Sequence, residues 1–384
     1  MSASAPDSGE CHEVCRRLNG DECASGNRLD LISSGEEFIF AMLEAIEAAR
    51  ASIDLELYRV DPGPLWRQFF DHLARAAARA VRVRLLVDSF GSRRMSVDNW
   101  RALKDAGIHV LRTATIMTTL LRDRSTRRDH RKLLVVDGDL AFTGGMSVDD
   151  TFFRPEGEPT WRESMVLVRG PIVGRMQRAF DDAWREVGGP PSALERVSTR
   201  VAGTVKARVV LSAPAQPCGE SLFLSAIDGA RQSVLITNPF VVPSAKISAA
   251  LIRAVQNGID VRLLVPGRYH RFAWVRDAMR GFYGKYLRSG VRIFEYEAAM
   301  LHAKTIAVDD QWASVGSFNL DPRSFVFNDE IAVAACDPEF ARSVAAAFAA
   351  DCTNAREVQL TEWARRGLSS RSREAAVMLV RRYL

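Results

Sequence analysis

Apolar residues along this chain fall into two spacings, and each change of spacing marks an element. Leu29-Asp30-Leu31-Ile32 reads as a short strand. Ser34-Gly35-Glu36-Glu37 opens a helix predicted to run to about residue 51, where Phe38, Met42, Leu43 and Ile46 recur at helical spacing as a core-facing stripe. Residues 53–58 alternate as a strand. A helix over 65–80 precedes a central strand over 81–88, and a Gly91-Ser92 loop, a helix over 99–106 and a strand over 108–112 follow. Strands alternating with helices predict α/β architecture.

The order then repeats. Residues 226–234 echo 45–53 at an offset of 181, and Val261 to Val265 echo Val83 to Val87 at 178, as loops of unequal length produce. The duplication predicts a first domain over 26–190, a linker over 191–205 inside the turn-rich seam from Gly188 to Gly203, and a second domain over 206–384. Residues 1–25, polar and aperiodic, are expected to be a flexible leader, and the stretch from about 339 to the end a mostly helical tail whose arginines include Arg381 and Arg382.

A chain of 384 residues suits two such domains, and 47% hydrophobic with 26% charged residues is a globular composition. The net charge of +5 fits an anionic partner and does not choose between lipid and nucleic acid. No apolar run reaches the ~18 residues of a membrane span, and the opening residues lack the apolar core of a secretory signal, so the expected state is soluble or resting on a membrane. Six scattered cysteines are expected as thiols in a reducing cytoplasm. Cys11, Cys15 and Cys23 cluster with His12, but no second ligand pair follows at zinc-finger spacing.

The chemistry concentrates in two places. Residues 302–309 read as a strand, on which His302 and Lys304 project together. An imidazole beside an ammonium suits an anionic substrate, one as nucleophile or proton carrier and the other binding oxygens. Asp309 ends the strand, and Gly316-Ser317-Phe318-Asn319 forms a small-residue turn able to reach a phosphate. His130, Lys132, Asp137 and Gly144-Gly145-Met146-Ser147 repeat the set at the same intervals. Asp137 and Asp309, as strand-end aspartates, are expected to order loops.

Two copies of H-x-K-x4-D-x6-G-(G/S) resemble the HKD motifs of the phospholipase D superfamily. Residues 127–138, Phe142 to Met146, Trp161-Arg162-Glu163, Val168 to Pro171, Gln177 to Trp184, and Asp321 to Ser324 with Asn328 and Glu330 resemble its bacterial cardiolipin synthase branch, over about residues 26–384. The resemblance implies two tandem α-β-α sandwich domains related by a pseudo-twofold axis, with the active site at their interface. It implies catalysis by His130, Lys132, Asp137, His302, Lys304 and Asp309, with Glu330 reaching His130 and Glu163 reaching His302. His130 is then the nucleophile that forms a phosphohistidine, and His302 the acid and base. Gly144, Gly145, Ser147, Gly316, Ser317 and Asn319 are expected to bind substrate oxygens with the lysines, and no metal or cofactor is needed.

The implied reaction is phosphatidyl transfer to phosphatidylglycerol, with phosphatidylethanolamine as an alternative donor. The implied place is cytoplasmic, peripheral to the inner membrane, on an anionic lipid surface and with no nucleic-acid partner. Two residues depart from the branch: Ser147 stands where it usually has Asn, and Glu163 where it usually has Asp. The apolar run 116–121, followed by Arg122, Arg124, Arg127 and Arg128, is suited to acyl chains and lipid phosphates. A phospholipid hydrolase would carry the same motifs. A nuclease would need a basic track interleaved with aromatics, for which Arg268 to Trp274 (Arg268, Tyr269, His270, Arg271, Phe272, Trp274) is the candidate.

Overall fold

The structure is a computed structural model that describes residues 23–113, 127–152, 160–191, 200–367 and 372–374. Residues 1–22, with Cys11, His12 and Cys15, lie outside the described residues, as do the run 116–121 with Arg122 and Arg124, the middle of the seam, and the end of the tail with Arg381 and Arg382.

The first half contributes strands β1 (Ala24–Ile32), β2 (Ser52–Leu57), β3 (Arg82–Val87), β4 (His109–Arg112), β5 (Leu133–Val136), β6 (Leu140–Gly144) and β7 (Met165–Arg169). The second contributes β8 (Val205–Ser212), β9 (Ser233–Thr237), β10 (Asp260–Pro266), β11 (Arg292–Tyr296), β12 (Thr305–Val308), β13 (Trp312–Gly316), β14 (Glu330–Cys336) and β15 (Ala355–Glu357). All lie in one sheet, ordered β15-β11-β10-β9-β12-β13-β14-β8-β1-β7-β6-β5-β2-β3-β4. Read outward from the central β8–β1 pair, the two halves have the same order, and β1 and β8 run antiparallel. Antiparallel pairing of equivalent strands is what a pseudo-twofold axis between duplicated halves requires.

Helices cover both faces. Gly35–Ala48, Pro64–Ala78 and Val97–Asp105 pack with the first half in one apolar core. Gly219–Asp228, Ala245–Gln256, Ala273–Ser289 and Pro322–Val326 do so in the second. On the opposite face Val173–Glu186 and Pro338–Cys352 sit over a third core that draws residues from both halves, among them Leu133, Phe180, Val209, Ala313 and Phe340. Each of these helices also reaches the first strand of the other half, Val173–Glu186 touching β8 and Pro338–Cys352 touching β1. Arg84 is buried between Asp54 and Asp181 at 2.6 Å from each, and Gln177 donates to Asp54 at 2.7 Å, so this helix is tied to β2 and β3 by buried ion pairs and a hydrogen bond. The expected α-β-α layering is present, and the two halves share a core.

Along its described residues the tail is mostly helical, as expected, with one short edge strand, β15, paired with β11. Two expectations need correction. Both His-x-Lys pairs precede their strands, because β5 starts at Leu133 and β12 at Thr305. Cys336 is disulfide-bonded where a thiol was expected; which thiols meet depends on the separation of their Cα atoms in space, and linear spacing does not report that.

Candidate active site

The parallel strands β2 and β3, and their counterparts β9 and β10, end on one edge of the sheet, where open α/β sheets place their ligands. The segments leading into β5 and β12 arrive at the same edge, since each runs antiparallel to its neighbour. Two further bridges cross between the halves: Asp129 pairs with Asp329, and Arg162 pairs with Leu301. Each joins the residue before a motif histidine to the residue before a glutamate, and so fixes which histidine each glutamate can reach. Backbone bonds complete the clamp, His130 N–H to Asp329 O at 2.9 Å and His302 N–H to Arg162 O at 2.7 Å. Arg127 holds Asp329 with two bonds at 2.7 and 2.9 Å, and Arg162 holds Asp351 at 2.7 Å.

The result is the expected crossing. His130 Nδ1 lies 2.9 Å from Glu330 Oε2, and His302 Nδ1 lies 2.5 Å from Glu163 Oε2. Both glutamates are fully buried. With Nδ1 engaged, Nε2 is the ring nitrogen left for the reaction on each imidazole, that of His302 lying 3.2 Å from Lys304 Nζ. Tyr58 packs edge-on to His130 at 4.9 Å, while Phe152 and Trp161 pack on His302 at 5.8 and 5.1 Å. Lys132 Nζ donates to His130 O at 2.5 Å, and Lys304 Nζ, which also meets His302 O, lies 2.9 Å from His302 Nδ1 and 3.7 Å from Glu163. Both histidines and Lys132 line a single cavity of about 930 Å³, a size suited to a small-molecule or lipid-headgroup ligand, with Lys304 directly behind His302.

The two histidine–glutamate pairs differ in their surroundings. Glu330 accepts from Ser317 Oγ at 2.5 Å, Ser324 Oγ at 2.6 Å and Asn328 Nδ2 at 3.3 Å. Burial works to raise its pKa, but His130, Lys132 and the Ser317 hydroxyl outweigh burial and hold it below the ordinary carboxylate range. At the equivalent positions of the first half stand Gly145 and Phe152, which carry no hydroxyl. Among the described residues Glu163 receives the Ser164 N–H, at 2.9 Å, besides Lys304 and His302, and burial pushes it up to about 7. Burial also lowers His130 to about 4 and, with Lys304 and Lys132 adding repulsion, takes His302 well below the imidazole range. At neutral pH the first pair is therefore a carboxylate beside a neutral imidazole. The second holds one proton more readily. Burial depresses Lys132 to about 7 and Lys304 to about 8, each resisted by the nearby glutamates, and an arriving phosphate would raise both.

The remaining motif residues separate into two groups. Ser147 and Asn319 line the cavity; Gly144, Gly145, Gly316 and Ser317 do not. A Cβ on Gly145 would stand 2.3 Å from Glu163 Oε2, so this glycine makes room for the carboxylate. Asp137 and Asp309 sit at the far ends of β5 and β12, at φ of 54° and 55°. Asp137 accepts backbone N–H bonds from Arg50, Ala51 and Ser52, and Asp309 from Arg231, Gln232 and Ser233, all at 2.7 to 2.9 Å in their shortest forms. They anchor the helix-to-strand turns and are remote from the cavity, so the resemblance's catalytic grouping of them is replaced by the loop-ordering role. Sequence reasoning missed Tyr58 and Phe152 beside the histidines and assigned no role to Ser324. The signal was there in the duplication: aligning the two copies sets Phe152 against Ser324 and Gly145 against Ser317.

Among the described residues no three His, Cys, Asp or Glu side chains group as metal ligands, and no helix is long and apolar enough to cross a membrane. A family model described as a cardiolipin synthase, phospholipase D-like domain matches residues 42–184 and 223–352. Cardiolipin synthase A of Pseudomonas entomophila is 34% identical over 364 residues, which are 93% of this chain and 75% of that protein. Its namesake in Pseudomonas fluorescens is 33% identical over 356 residues, 90% and 73% of the respective chains. Among solved structures, phosphatidylserine synthase from Haemophilus influenzae Rd KW20 matches with a TM-score of 0.71 at 14% identity, covering 98% of this chain and all of that one, a likeness of fold.

Proposed function

The chain belongs to the cardiolipin synthase family of phospholipase D-like proteins, and from that premise we propose that it is a phosphatidyltransferase joining a phosphatidyl group to phosphatidylglycerol through a phosphohistidine. The observation that carries the reading is the pair of crossed histidine–glutamate contacts whose histidines open on one cavity, with Lys132 on its wall and Lys304 against His302.

His130 Nε2 attacks the donor's phosphorus, and the bond from phosphorus to the leaving alcohol breaks. His302 Nε2–H supplies the proton to that alkoxide. His302 then removes the proton from a glycerol hydroxyl of phosphatidylglycerol, whose oxygen takes the phosphatidyl group as the phosphorus–nitrogen bond breaks. The direction of labour follows the asymmetry of the pairs. His130 is neutral against an ionised Glu330, so its Nε2 lone pair is free, whereas the Glu163–His302 pair holds a proton to give. Lys132 and Lys304 neutralise the phosphoryl oxygens, with Ser147 and Asn319 on the cavity wall as further donors. The units 26–190 and 206–384 act as one catalytic body, at the surface of the inner membrane, with phosphatidylglycerol and, as alternative donor, phosphatidylethanolamine.

Positioning of the acceptor beside His302 can supply effective molarities of roughly 10⁵ M or more, enough for a lipid alcohol to outcompete water. In phosphatidylglycerol vesicles cardiolipin is the expected main product by lipid mass spectrometry. Phosphatidic acid as main product at high acceptor density would make the protein a hydrolase, and cleavage of oligonucleotides without lipid turnover a nuclease. His302→Ala should accumulate a phosphatidyl adduct visible by intact-protein mass spectrometry, and His130→Ala should not; the opposite pattern reverses the two roles.

A further inference from the structure

The mouth of the cavity and the loop beside it carry exposed aromatic side chains. Phe90, Phe272 and Trp274 line the cavity and are 37%, 40% and 50% exposed, and Tyr269, three residues before Phe272, is 43% exposed. Most are paired with arginine. Arg93 and Arg128 lie over Phe90 at 4.7 and 4.8 Å, Arg268 over Tyr269 at 4.8 Å, and Arg271 over Phe272 at 5.5 Å. The cavity lining holds six arginines and Lys132 against three aspartates, so the opening is net positive.

These rings are held out by design of the backbone. The loop after β3 is pinned by Asp88, which accepts from Phe90 N and Gly91 N at 2.9 Å, and Gly91 passes so close to Tyr58 O that a Cβ would stand 1.8 Å from it. The equivalent loop after β10 is pinned by the buried His270, whose Nε2 meets Pro239 O at 3.1 Å and whose Nδ1 accepts from Phe272 N at 3.0 Å. From that loop an aromatic track runs inward, Trp274 to Phe272 at 6.3 Å and Phe272 to Phe240 at 6.4 Å, and Phe240 lines the cavity. Rigid apolar rings kept in water cost free energy unless something covers them.

We propose that these two loops form a docking rim for an anionic lipid bilayer, which seats the cavity mouth on the membrane so that substrate passes from bilayer to histidines along the aromatic track. Interfacial tryptophan, tyrosine and phenylalanine with arginine are the side chains that enter a headgroup layer, where the ring meets acyl carbons and the guanidinium meets lipid phosphate. The positive opening complements anionic lipid, and the rim is continuous with the proposed site. The inference deepens the lipid reading of that site and rests on it only for the purpose of docking.

The test uses the full chain, sedimented with vesicles of phosphatidylglycerol and phosphatidylcholine or of phosphatidylcholine alone. Arg268 and Tyr269 lie outside the cavity lining, so Arg268→Glu with Tyr269→Ser removes rim character without touching the chemistry. Each arginine near an anionic surface is worth roughly fivefold in partition and its reversal more, so this variant is expected to bind mixed vesicles at least about tenfold more weakly. Trp274→Ser should also bind more weakly. Turnover of a short-chain phosphatidylglycerol below its micelle concentration should stay unchanged in the Arg268 and Tyr269 variant, with circular dichroism confirming its fold. His130→Ala with His302→Ala should lose turnover and keep vesicle binding, which separates failure of the docking idea from failure of the proposed reaction. Wild-type vesicle binding by both rim variants, or a parallel loss of monomer turnover, overturns the proposal. Rim-dependent binding of single-stranded oligonucleotide, with vesicle binding unaffected, would make the surface a nucleic-acid track and also overturn it.

Discussion

Ser324→Ala should move the acid limb of the pH–rate profile. The Ser324 hydroxyl donates to Glu330 Oε1 at 2.6 Å inside a site where both residues are fully buried. A hydrogen bond to a buried charged acceptor is worth about 1.5–3 kcal/mol, and one pKa unit corresponds to about 1.4 kcal/mol, so its loss raises Glu330 by about 1–2 units. Glu330 starts below the ordinary carboxylate range, so it stays ionised at pH 7 and activity there changes little. As pH falls, the variant's Glu330 takes up its proton earlier, the bond to His130 Nδ1 reverses, and the Nε2 lone pair is lost. The acid limb of kcat/KM on a monomeric short-chain substrate should therefore rise by about 1–2 units. Stability follows the same sign. A carboxylate whose folded pKa is depressed contributes stability above its unfolded value, and that contribution disappears as pH falls through the folded one, so acid unfolding should begin at a higher pH in the variant. An acid limb that stays in place while activity falls evenly at every pH would refute the argument, because it would make the hydroxyl a packing element alone.

Lys132 and Lys304, depressed to about 7 and 8, should bind phosphate when charged and release it as pH rises through those values; calorimetric titration with inorganic phosphate tests this, and affinity that is level from pH 6 to 9 would contradict it. Gly145→Ala puts a Cβ 2.3 to 2.7 Å from three atoms of the Glu163 carboxylate, so Glu163 must leave His302; kcat should fall by about 100-fold or more, with a native-like circular dichroism spectrum. Asp309→Ala removes three backbone bonds of 2.7 Å and leaves alanine at φ 55°, at a cost of at least about 2 kcal/mol in urea unfolding, while the folded fraction keeps its kcat; lost activity with unchanged stability would return Asp309 to the chemistry.

The sequence alone determined whatever local spacing encodes. Periodicity placed the helix now seen at Gly35–Ala48 and the strand at Arg82–Val87 to within a few residues, because amphipathic patterning acts over one element. The repeated intervals after His130 and His302 disclosed the duplication, since equal loop lengths preserve equal geometry in both copies. Spacing could not show that each His-x-Lys pair sits ahead of its strand, or that residues 355–357 would be captured as an edge strand by β11. Those outcomes depend on which neighbour offers hydrogen bonds. The crossing of Glu330 to His130 and of Glu163 to His302 joins residues 200 and 139 apart in the chain, and two bridges between the halves decide it. The unequal proton affinities of the two pairs are decided later still. They come from His130, Lys132 and the Ser317 hydroxyl holding Glu330 down against burial, while burial prevails at Glu163, in the copy where Gly145 stands in place of Ser317. A carboxylate's pKa is set by the atoms within a few ångströms of it, and only folding determines which atoms those are.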